Sequence, residues 1–279
     1  MKARPGPTTR TRIREITGSV ARDRRDDLAT EEPLEIRLTA PDGTRRTVAI
    51  TMRTPGHDFE LTAGFLHGEG LAGPGEIAAI AYCTDEDLPP EARYNTVTVH
   101  LHGPIPDLPA LDRHFLTSSA CGVCGSASLD VLRDRCAPVP EGLLQLTPEL
   151  LYALPDALRG AQGVFGKTGG LHAAGLFSTT GMLVALREDV GRHNAVDKLV
   201  GWASLTERLP LAEHVLMVSG RASYEIMQKA LAAGIPVVCA VSAPSSLAVE
   251  LAREFGLTLV GFLRGERCNV YAGAERIVS

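Results

Sequence analysis

Aromatic side chains and a basic excess are both lacking in this sequence. Phe, Trp and Tyr make up 5% of the 279 residues, and the formal net charge is -5. Surfaces that bind nucleic acid typically combine clustered Lys and Arg with aromatic platforms for the bases. The composition therefore argues against nucleic acid as the main partner.

Long apolar runs are missing as well. A membrane-spanning helix takes about 20 consecutive apolar residues, and no such run occurs, so we expect no membrane partner. Arginines crowd the first thirty residues, including Arg24 and Arg25, but no apolar segment follows them as in a secretory signal. We expect residues 1–30 to be a basic, disordered tail and the protein to be cytoplasmic.

Cysteine is too sparse for a disulfide scaffold, with six in the chain. The two that stand close together are Cys121 and Cys124, in a segment rich in Ser, Gly and Ala. This usage fits a reduced compartment and one special cysteine pair. The other four are scattered singly: Cys83, Cys136, Cys239 and Cys268.

The first half of the chain has β-sheet patterning. Apolar residues alternate over 34–38 and 48–52 around Pro41-Asp42-Gly43, which predicts a hairpin. A helix is expected from Asp58, and further strands over 77–83 and 96–101. We expect a smaller, β-rich α+β N-terminal domain over 31–140.

The second half predicts a parallel α/β sheet. Strands and helices alternate as βαβαβ, preceded by an antiparallel strand pair and a helix. Prolines and glycines around 135–150 mark the expected boundary, so the second domain covers 141–279. The predicted strands are 171–177, 182–187, 215–218, 236–241 and 257–263, and the predicted helices are 194–203, 224–233 and 245–255.

The Cys121–Cys124 spacing is compatible with three kinds of chemistry. A thiol–disulfide redox site, half of a zinc site and a sulfur relay through a persulfide all use such a pair. The redox site is usually placed at the first helix of a thioredoxin-like unit, and zinc needs more ligands, of which His114 and Cys136 are irregularly spaced candidates. The spacing alone leaves all three open.

Several motifs, in order and from about residue 30 to the end, resemble the formate dehydrogenase accessory sulfurtransferase family, FdhD. Ser118-Ser119-Ala120-Cys121-Gly122-Val123-Cys124-Gly125 is similar to its cysteine signature. Other matching stretches are Thr54-Pro55-Gly56, the run 188–198 with Gly191-Arg192-His193-Asn194, Ser219-Gly220-Arg221-Ala222-Ser223, and Phe262-Leu263-Arg264-Gly265-Glu266-Arg267.

The resemblance implies a sulfurtransferase that acts as a sulfur carrier. Such proteins take sulfur from a cysteine desulfurase and deliver it to the molybdenum bis(molybdopterin guanine dinucleotide) cofactor of formate dehydrogenase. By resemblance, Cys121 bears the persulfide, Cys124 is its partner, and residues 262–267 bind the cofactor, which GDP would mimic. A homodimer is also implied.

The resemblance implies a cytidine-deaminase-like, three-layer α/β domain. His172 lies where a deaminase has its His-x-Glu motif, but Ala174 stands in place of the acid/base Glu. Hydrolytic deamination is therefore not expected. His172 is a candidate ligand contact, with a hydrogen-bonded core histidine as the alternative.

The ends of the predicted parallel strands carry small, hydroxyl and guanidinium groups. Ligands of open α/β sheets bind at the carboxyl ends of strands, and helix N-termini and arginines favour phosphates. We therefore expect a pyrophosphate-bearing nucleotide there, with ordinary caps and a solvated face as the alternative. The candidates are Ser219, Gly220, Arg221, Ser223, Ser242, Pro244, Ser245, Ser246, Arg264 and Arg267, and Ser223 and Ser245 are expected to cap helices.

A second group of charged residues lies at the junction of a strand and the helix after it. Asp189, Arg192, His193, Asp197 and Lys198 are expected either to contact ligand or to form a salt-bridged helix start. Arg192 and His193 are the preferred functional candidates. Two rival functions remain: a non-catalytic chaperone for the cofactor and a zinc-stabilised binding module.

Overall fold

The computed structural model describes residues 5–83, 93–106, 129, 132–139 and 144–278. The chain begins with a two-stranded antiparallel hairpin, β1 (Thr8–Thr17) and β2 (Val20–Ala29), joined at Gly18 and Ser19. The expectation of a disordered tail is therefore wrong for residues 8–29. Pairing along both strands satisfies the backbone groups that face the partner strand.

A four-stranded sheet follows the hairpin. It contains β3 (Glu32–Thr39), β4 (Arg45–Arg53), β5 (Ile77–Tyr82) and β6 (Thr96–Leu101) in the order β4-β3-β6-β5. Helix α1 (Asp58–Glu69) connects β4 to β5. These elements confirm the predicted hairpin, helix and strands of the first half. The strands form because alternating apolar residues, such as Leu34, Ile36 and Leu38, are fully buried on one face of the sheet.

The second sheet has six strands in the order β12-β11-β10-β9-β7-β8. Strands β9, β10 and β11 are parallel, which confirms the predicted βαβαβ unit, and the remaining neighbours are antiparallel. The strands are β7 (His172–Ser178), β8 (Leu183–Asp189), β9 (His214–Val218), β10 (Val237–Ala240), β11 (Thr258–Arg264) and β12 (Arg267–Ala272).

Helices cover both faces of this sheet. Along β9, Val215 and Met217 pack with α2, whereas Leu216 and Val218 pack with α4, α5 and α6. Successive strand residues point to opposite faces, so the second domain has three layers. Its cytidine-deaminase-like identity stays a prediction. The helices are α2 (Pro148–Ala161), α3 (Phe165–Thr168), α4 (Arg192–Leu205), α5 (Tyr224–Ala232) and α6 (Ser246–Glu254).

Part of the predicted N-terminal domain packs with the second domain instead. Leu129 and Leu132 belong to the core shared with α4 and α5, and the Val139 amide donates to the Phe255 carbonyl at 2.8 Å. Residues 129 and 132–139 therefore lie on the C-terminal side of the interface, upstream of the expected boundary at 140. Among the described residues, no helix is long and apolar enough to cross a membrane.

The two domains meet where α1 crosses α4. A Cβ atom added to Gly64 of α1 would lie 1.8 Å from the Asp197 carbonyl oxygen, and one added to Gly201 of α4 would lie 1.7 Å from the Glu60 carbonyl oxygen. No side chain of any size fits at either position. Glycine is required here because the helix backbones themselves are in contact.

We expect Gly64→Ala to lower the free energy of unfolding by about 1–3 kcal/mol or more, because the methyl group forces the helices apart. Gly160→Ala is the matched control, since Gly160 also lies in a helix but nothing lies within 4 Å of its added Cβ. That control should gain about 0.5–1 kcal/mol from helix propensity. Urea unfolding of the three proteins measures both changes, and equal stabilities would contradict the close contact.

Candidate functional site

The sheet topology brings the predicted site residues to one edge. Val218, the last residue of β9, pairs with Ala174 of β7, and His172 at the start of β7 pairs with Asp189 at the end of β8. His172 and Asp189 therefore lie beside the carboxyl end of β9, where Ser219 follows. Antiparallel pairing is the reason that the start of one strand joins the ends of its neighbours.

The ends of the other parallel strands adjoin the same edge. Ala222 forms a β-bridge with Pro244, and the Phe262 amide donates to the Ser242 carbonyl at 3.2 Å. Sequence-distant segments thus form one continuous surface, as expected for ligand sites of α/β sheets. We define the strand-end rim as His172, Arg192, His193 and residues 219–223, 242–244 and 262–267.

A close approach of three residues forms the centre of the rim. A Cβ atom added to Gly220 would lie 3.4 Å from His172 Nδ1 and 3.8 Å from Arg192 Cδ. Arg192 Nε is buried and has no hydrogen-bond partner among the described residues. Since buried polar groups are nearly always paired, a ligand oxygen at this point would complete the arginine's hydrogen bonding.

Both histidines of the rim are held neutral. Burial lowers the pKa of His172, and the positive charges of Arg192 and Arg221 lower it further against the opposing effect of Asp189. Burial lowers the pKa of His193 to about 4, again with help from Arg192. As neutral imidazoles, the two histidines add no charge to that of the neighbouring arginines. Each ring also retains one acceptor nitrogen.

The two predicted serine caps differ. Ser245 accepts a hydrogen bond from the Ala248 amide at 3.3 Å, which confirms it as the cap of α6. Ser223 occupies the N-cap position of α5 but makes no capping bond; its hydroxyl instead pairs with His193 Nε2 at 3.1 Å. The prediction for the Ser223 side chain is therefore wrong, because His193 competes for that hydroxyl.

The sequence did not indicate Glu225, which lies beside His193. Glu225 lies in the first turn of α5, and its carboxylate is 3.7 Å from His193 Nε2. It opposes the lowering of the His193 pKa. The sequence feature that could have indicated Glu225 was its position two residues after Ser223, at a helix start where carboxylates are favoured.

The charged residues at the junction of β8 and α4 form a buried network. Asp189 is fully buried and lies 2.7 Å from Lys198 Nζ. Its carboxylate also accepts from the Thr54 amide at 3.0 Å and the Gly191 amide at 2.8 Å. Of the two expected roles, the salt-bridged helix start is the one observed for Asp189 and Lys198.

Asp197 belongs to a second buried pair on the same helix. It lies 2.8 Å from Lys229 Nζ of α5, and Glu69 of α1 approaches the same ammonium at 3.4 Å. Burial raises the pKa of Asp197 to about 6, although Lys229 opposes this. These residues tie three helices together behind the rim and do not line it.

The residues of the segment 262–267 differ in their exposure to solvent. Leu263 is fully buried in the core, so its side chain does not face a ligand, contrary to the expectation for this position. Phe262 has a φ of 52°, an uncommon value for a residue with a side chain, at an irregular step in the pairing of β11 with β12. Arg264, Gly265, Glu266 and Arg267 are exposed around the following turn.

Cys121 and Cys124 lie outside the described residues, as does His114. Within the described part of the chain, no three His, Cys, Asp or Glu side chains are grouped so that they could hold a metal ion. The zinc alternative for the cysteine pair stays open on these observations.

His193 should make stability depend on pH. Its pKa is about 4 in the folded protein and about 6.5 when unfolded, so the unfolded chain takes up the proton first as the pH falls. The free energy of unfolding should therefore decrease between about pH 6.5 and pH 4, by at most about 3 kcal/mol from this group. Urea unfolding across this range should show a smaller decrease for His193→Gln, while the exposed-site control His100→Gln follows the unmodified protein. Parallel curves for all three would contradict the assignment.

Comparisons with known proteins agree with the motifs. The sequence model described as the FdhD/NarQ family matches residues 29–278. The chain is 54% identical to the "Sulfur carrier protein FdhD" of Streptomyces avermitilis over 97% of this chain and 95% of the relative, and 43% identical to that of Sulfurisphaera tokodaii over 91% and 92%. A crystal structure of a putative formate dehydrogenase accessory protein from Desulfotalea psychrophila matches with a TM-score of 0.73 and 26% identity, covering 97% of this chain and 99% of that one. The chain belongs to the FdhD/NarQ family.

Proposed function

We propose that this protein is a sulfur carrier that supports formate dehydrogenase. Cys121 accepts sulfur from a cysteine desulfurase as a persulfide and transfers it to the molybdenum bis(molybdopterin guanine dinucleotide) cofactor before insertion. The observation that carries the cofactor-binding part of the proposal is the strand-end rim, where arginines and small residues from three strand ends converge. Relatives that share about half of their residues with this chain carry the name of sulfur carrier.

The sulfur-accepting step is a thiol exchange without net oxidation. The Cys121 thiolate attacks the outer sulfur of the donor persulfide, the S–S bond of the donor breaks, and the donor cysteine leaves as a thiolate. Cys124 then attacks the inner sulfur of the Cys121 persulfide. A Cys121–Cys124 disulfide forms, and the outer sulfur leaves as hydrosulfide, so the two thiols supply the two electrons.

The rim fits the phosphates of the substrate cofactor. Arg192 offers a buried Nε that has no hydrogen-bond partner among the described residues, and Gly220 permits close approach of a ligand beside it. Arg221, Arg264 and Arg267 add exposed guanidinium groups that bind phosphate oxygens in pairs. The α4, α5 and α6 N-termini point to the same edge and favour anions.

A cofactor chaperone is the second candidate, because the rim alone would serve it. Such a protein would bind and protect the cofactor without any chemistry at cysteine. The two functions therefore share the rim and differ in their dependence on Cys121.

Cys121→Ala should separate them. After incubation with a cysteine desulfurase and cysteine, mass spectrometry should find the Cys121 peptide one sulfur atom heavier, and the variant should no longer support formate dehydrogenase activity. Cys268→Ala is the matched control, since that half-buried thiol lies on β12 and its pKa is raised by burial. Sulfur on a different cysteine, or full activity with Cys121→Ala, would exclude the proposed carrier.

GDP should bind the rim and stabilise the folded protein. At a GDP concentration about 100 times the dissociation constant, binding to the native state adds about 2.7 kcal/mol, which raises Tm by several degrees. Arg192→Gln should lose most of this shift, whereas Arg208→Gln, an exposed arginine beside Trp202, should retain it. An equal shift in both variants would place the nucleotide elsewhere.

A further inference from the structure

Glu225 places a carboxylate at the corner of the strand-end rim that holds Arg192. Its Oε2 atom is 3.7 Å from His193 Nε2, and His193 is the residue that follows Arg192 in α4. The Glu225 side chain is 55% exposed, so a ligand in the rim can reach it. Because a carboxylate repels the phosphates proposed for this rim, its position calls for a role other than phosphate binding.

The carboxylate of Glu225 is ionised and acts only as a hydrogen-bond acceptor. Although burial raises its pKa, hydrogen bonds from Ser223 and from its own amide, together with the charge of Arg192, lower the pKa overall. An ionised carboxylate offers about four acceptor positions and no donor. Phosphate oxygens are acceptors as well, so the ligand group that Glu225 binds must carry O–H or N–H donors. In a nucleotide these donors are the ribose hydroxyls and the N–H groups of the base.

The position of Glu225 favours the ribose over the base. Arg192 and Gly220 mark the proposed phosphate position, since a Cβ atom added to Gly220 would lie 3.8 Å from Arg192 Cδ. Glu225 adjoins that position through His193. The ribose is bonded to the phosphates through its 5′ carbon, whereas the base lies beyond the sugar. In dinucleotide sites of α/β sheets, an Asp or Glu accepts hydrogen bonds from the ribose in this way.

We propose that Glu225 forms a ribose subsite, which accepts hydrogen bonds from the 2′ and 3′ hydroxyls of a nucleotide whose phosphates lie at Arg192. This inference rests on the proposed function, because it requires that the rim bind a nucleotide. Arginines bind the phosphates of any ligand, including free pyrophosphate. The carboxylate adds specificity, since a ligand without the diol meets its repulsion and gains no hydrogen bond in return.

Glu225→Gln tests the subsite, and Glu149→Gln is the matched control. Both glutamates are exposed and lie in the first turn of a helix, so each variant loses the same charge from the same kind of position. Glu149 belongs to α2, whose Leu150 lies beside Gly181 in the turn between β7 and β8, at the opposite edge of the sheet from the rim. Circular dichroism establishes that both variants are folded.

Isothermal titration calorimetry gives the dissociation constants of GDP, 2′,3′-dideoxy-GDP, inosine diphosphate and inorganic pyrophosphate. The unmodified protein and the control should bind GDP about tenfold or more tightly than 2′,3′-dideoxy-GDP, because hydrogen bonds to a charged acceptor are lost. Glu225→Gln should reduce this ratio to about twofold, since its neutral amide makes weaker hydrogen bonds. The same variant should bind pyrophosphate about twofold or more tightly, because a negative charge has been removed from the rim.

Inosine diphosphate, which lacks only the exocyclic amine of guanine, distinguishes the ribose from the base. The ratio of its dissociation constant to that of GDP should be the same in Glu225→Gln as in the unmodified protein. A changed ratio would place the carboxylate at the guanine edge and overturn the ribose subsite.

The remaining outcomes separate this inference from the proposed function. Equal affinity of the unmodified protein for GDP and 2′,3′-dideoxy-GDP would overturn the ribose subsite and leave the rim as a nucleotide site. Weaker binding of every ligand to Glu225→Gln, pyrophosphate included, would assign the carboxylate a structural role at the start of α5 and also overturn the subsite. If the unmodified protein binds neither GDP nor pyrophosphate, the nucleotide site of the proposed function is itself wrong, and the subsite with it.

Discussion

The buried pair of Asp189 and Lys198 is the interaction on which the site depends. Both side chains are almost completely inaccessible, and the Asp189 carboxylate accepts from backbone amides of both domains. Lys198 in turn donates to the Thr54 carbonyl at 2.8 Å, so the first domain is bound on both sides of the ion pair. Removing one partner of such a pair costs about 3–5 kcal/mol, because the other charge is left buried and unpaired.

This pair fixes the start of α4, and α4 supplies Arg192 and His193 to the rim. Asp189 ends β8, Gly191 follows, and Arg192 and His193 open the helix. The contact of Gly64 and Gly201 then holds α1 against the same helix. Two constraints of different kinds, one electrostatic and one steric, therefore position Arg192 and His193 of the rim relative to β7 and β9.

The rim combines positive charge with little proton uptake near neutral pH. Burial and the neighbouring arginines lower the pKa of His172 and of His193, while Arg192 Nε has no hydrogen-bond partner within the part of the chain that the structure describes. In the proposed function, this surface holds a polyanion, and no chemistry takes place on the rim itself. The proposed chemistry resides on a separate segment, so cargo binding and sulfur transfer can be disrupted independently.

Local patterns in the sequence were sufficient for most strands and helices. The alternation in 34–52, the βαβαβ order and the cap at Ser245 are set by neighbouring residues, and each was predicted. The hairpin at 8–29 was not, because its dense charges resemble those of a disordered tail. Pairing across the strands gives Arg10 and Arg24 carboxylate partners that composition alone does not reveal.

The sequence by itself determined the family, the α/β class and the residues that could meet at strand ends. Only the tertiary structure decided which of them do so. In the tertiary structure Leu263 is buried in the core, Ser223 bonds to His193, and Asp189 pairs with Lys198 and the Thr54 amide. These contacts join residues that are separated by 9 to more than 100 positions in the sequence. A single sequence encodes such contacts only through the packing of the whole chain, which local periodicity does not specify.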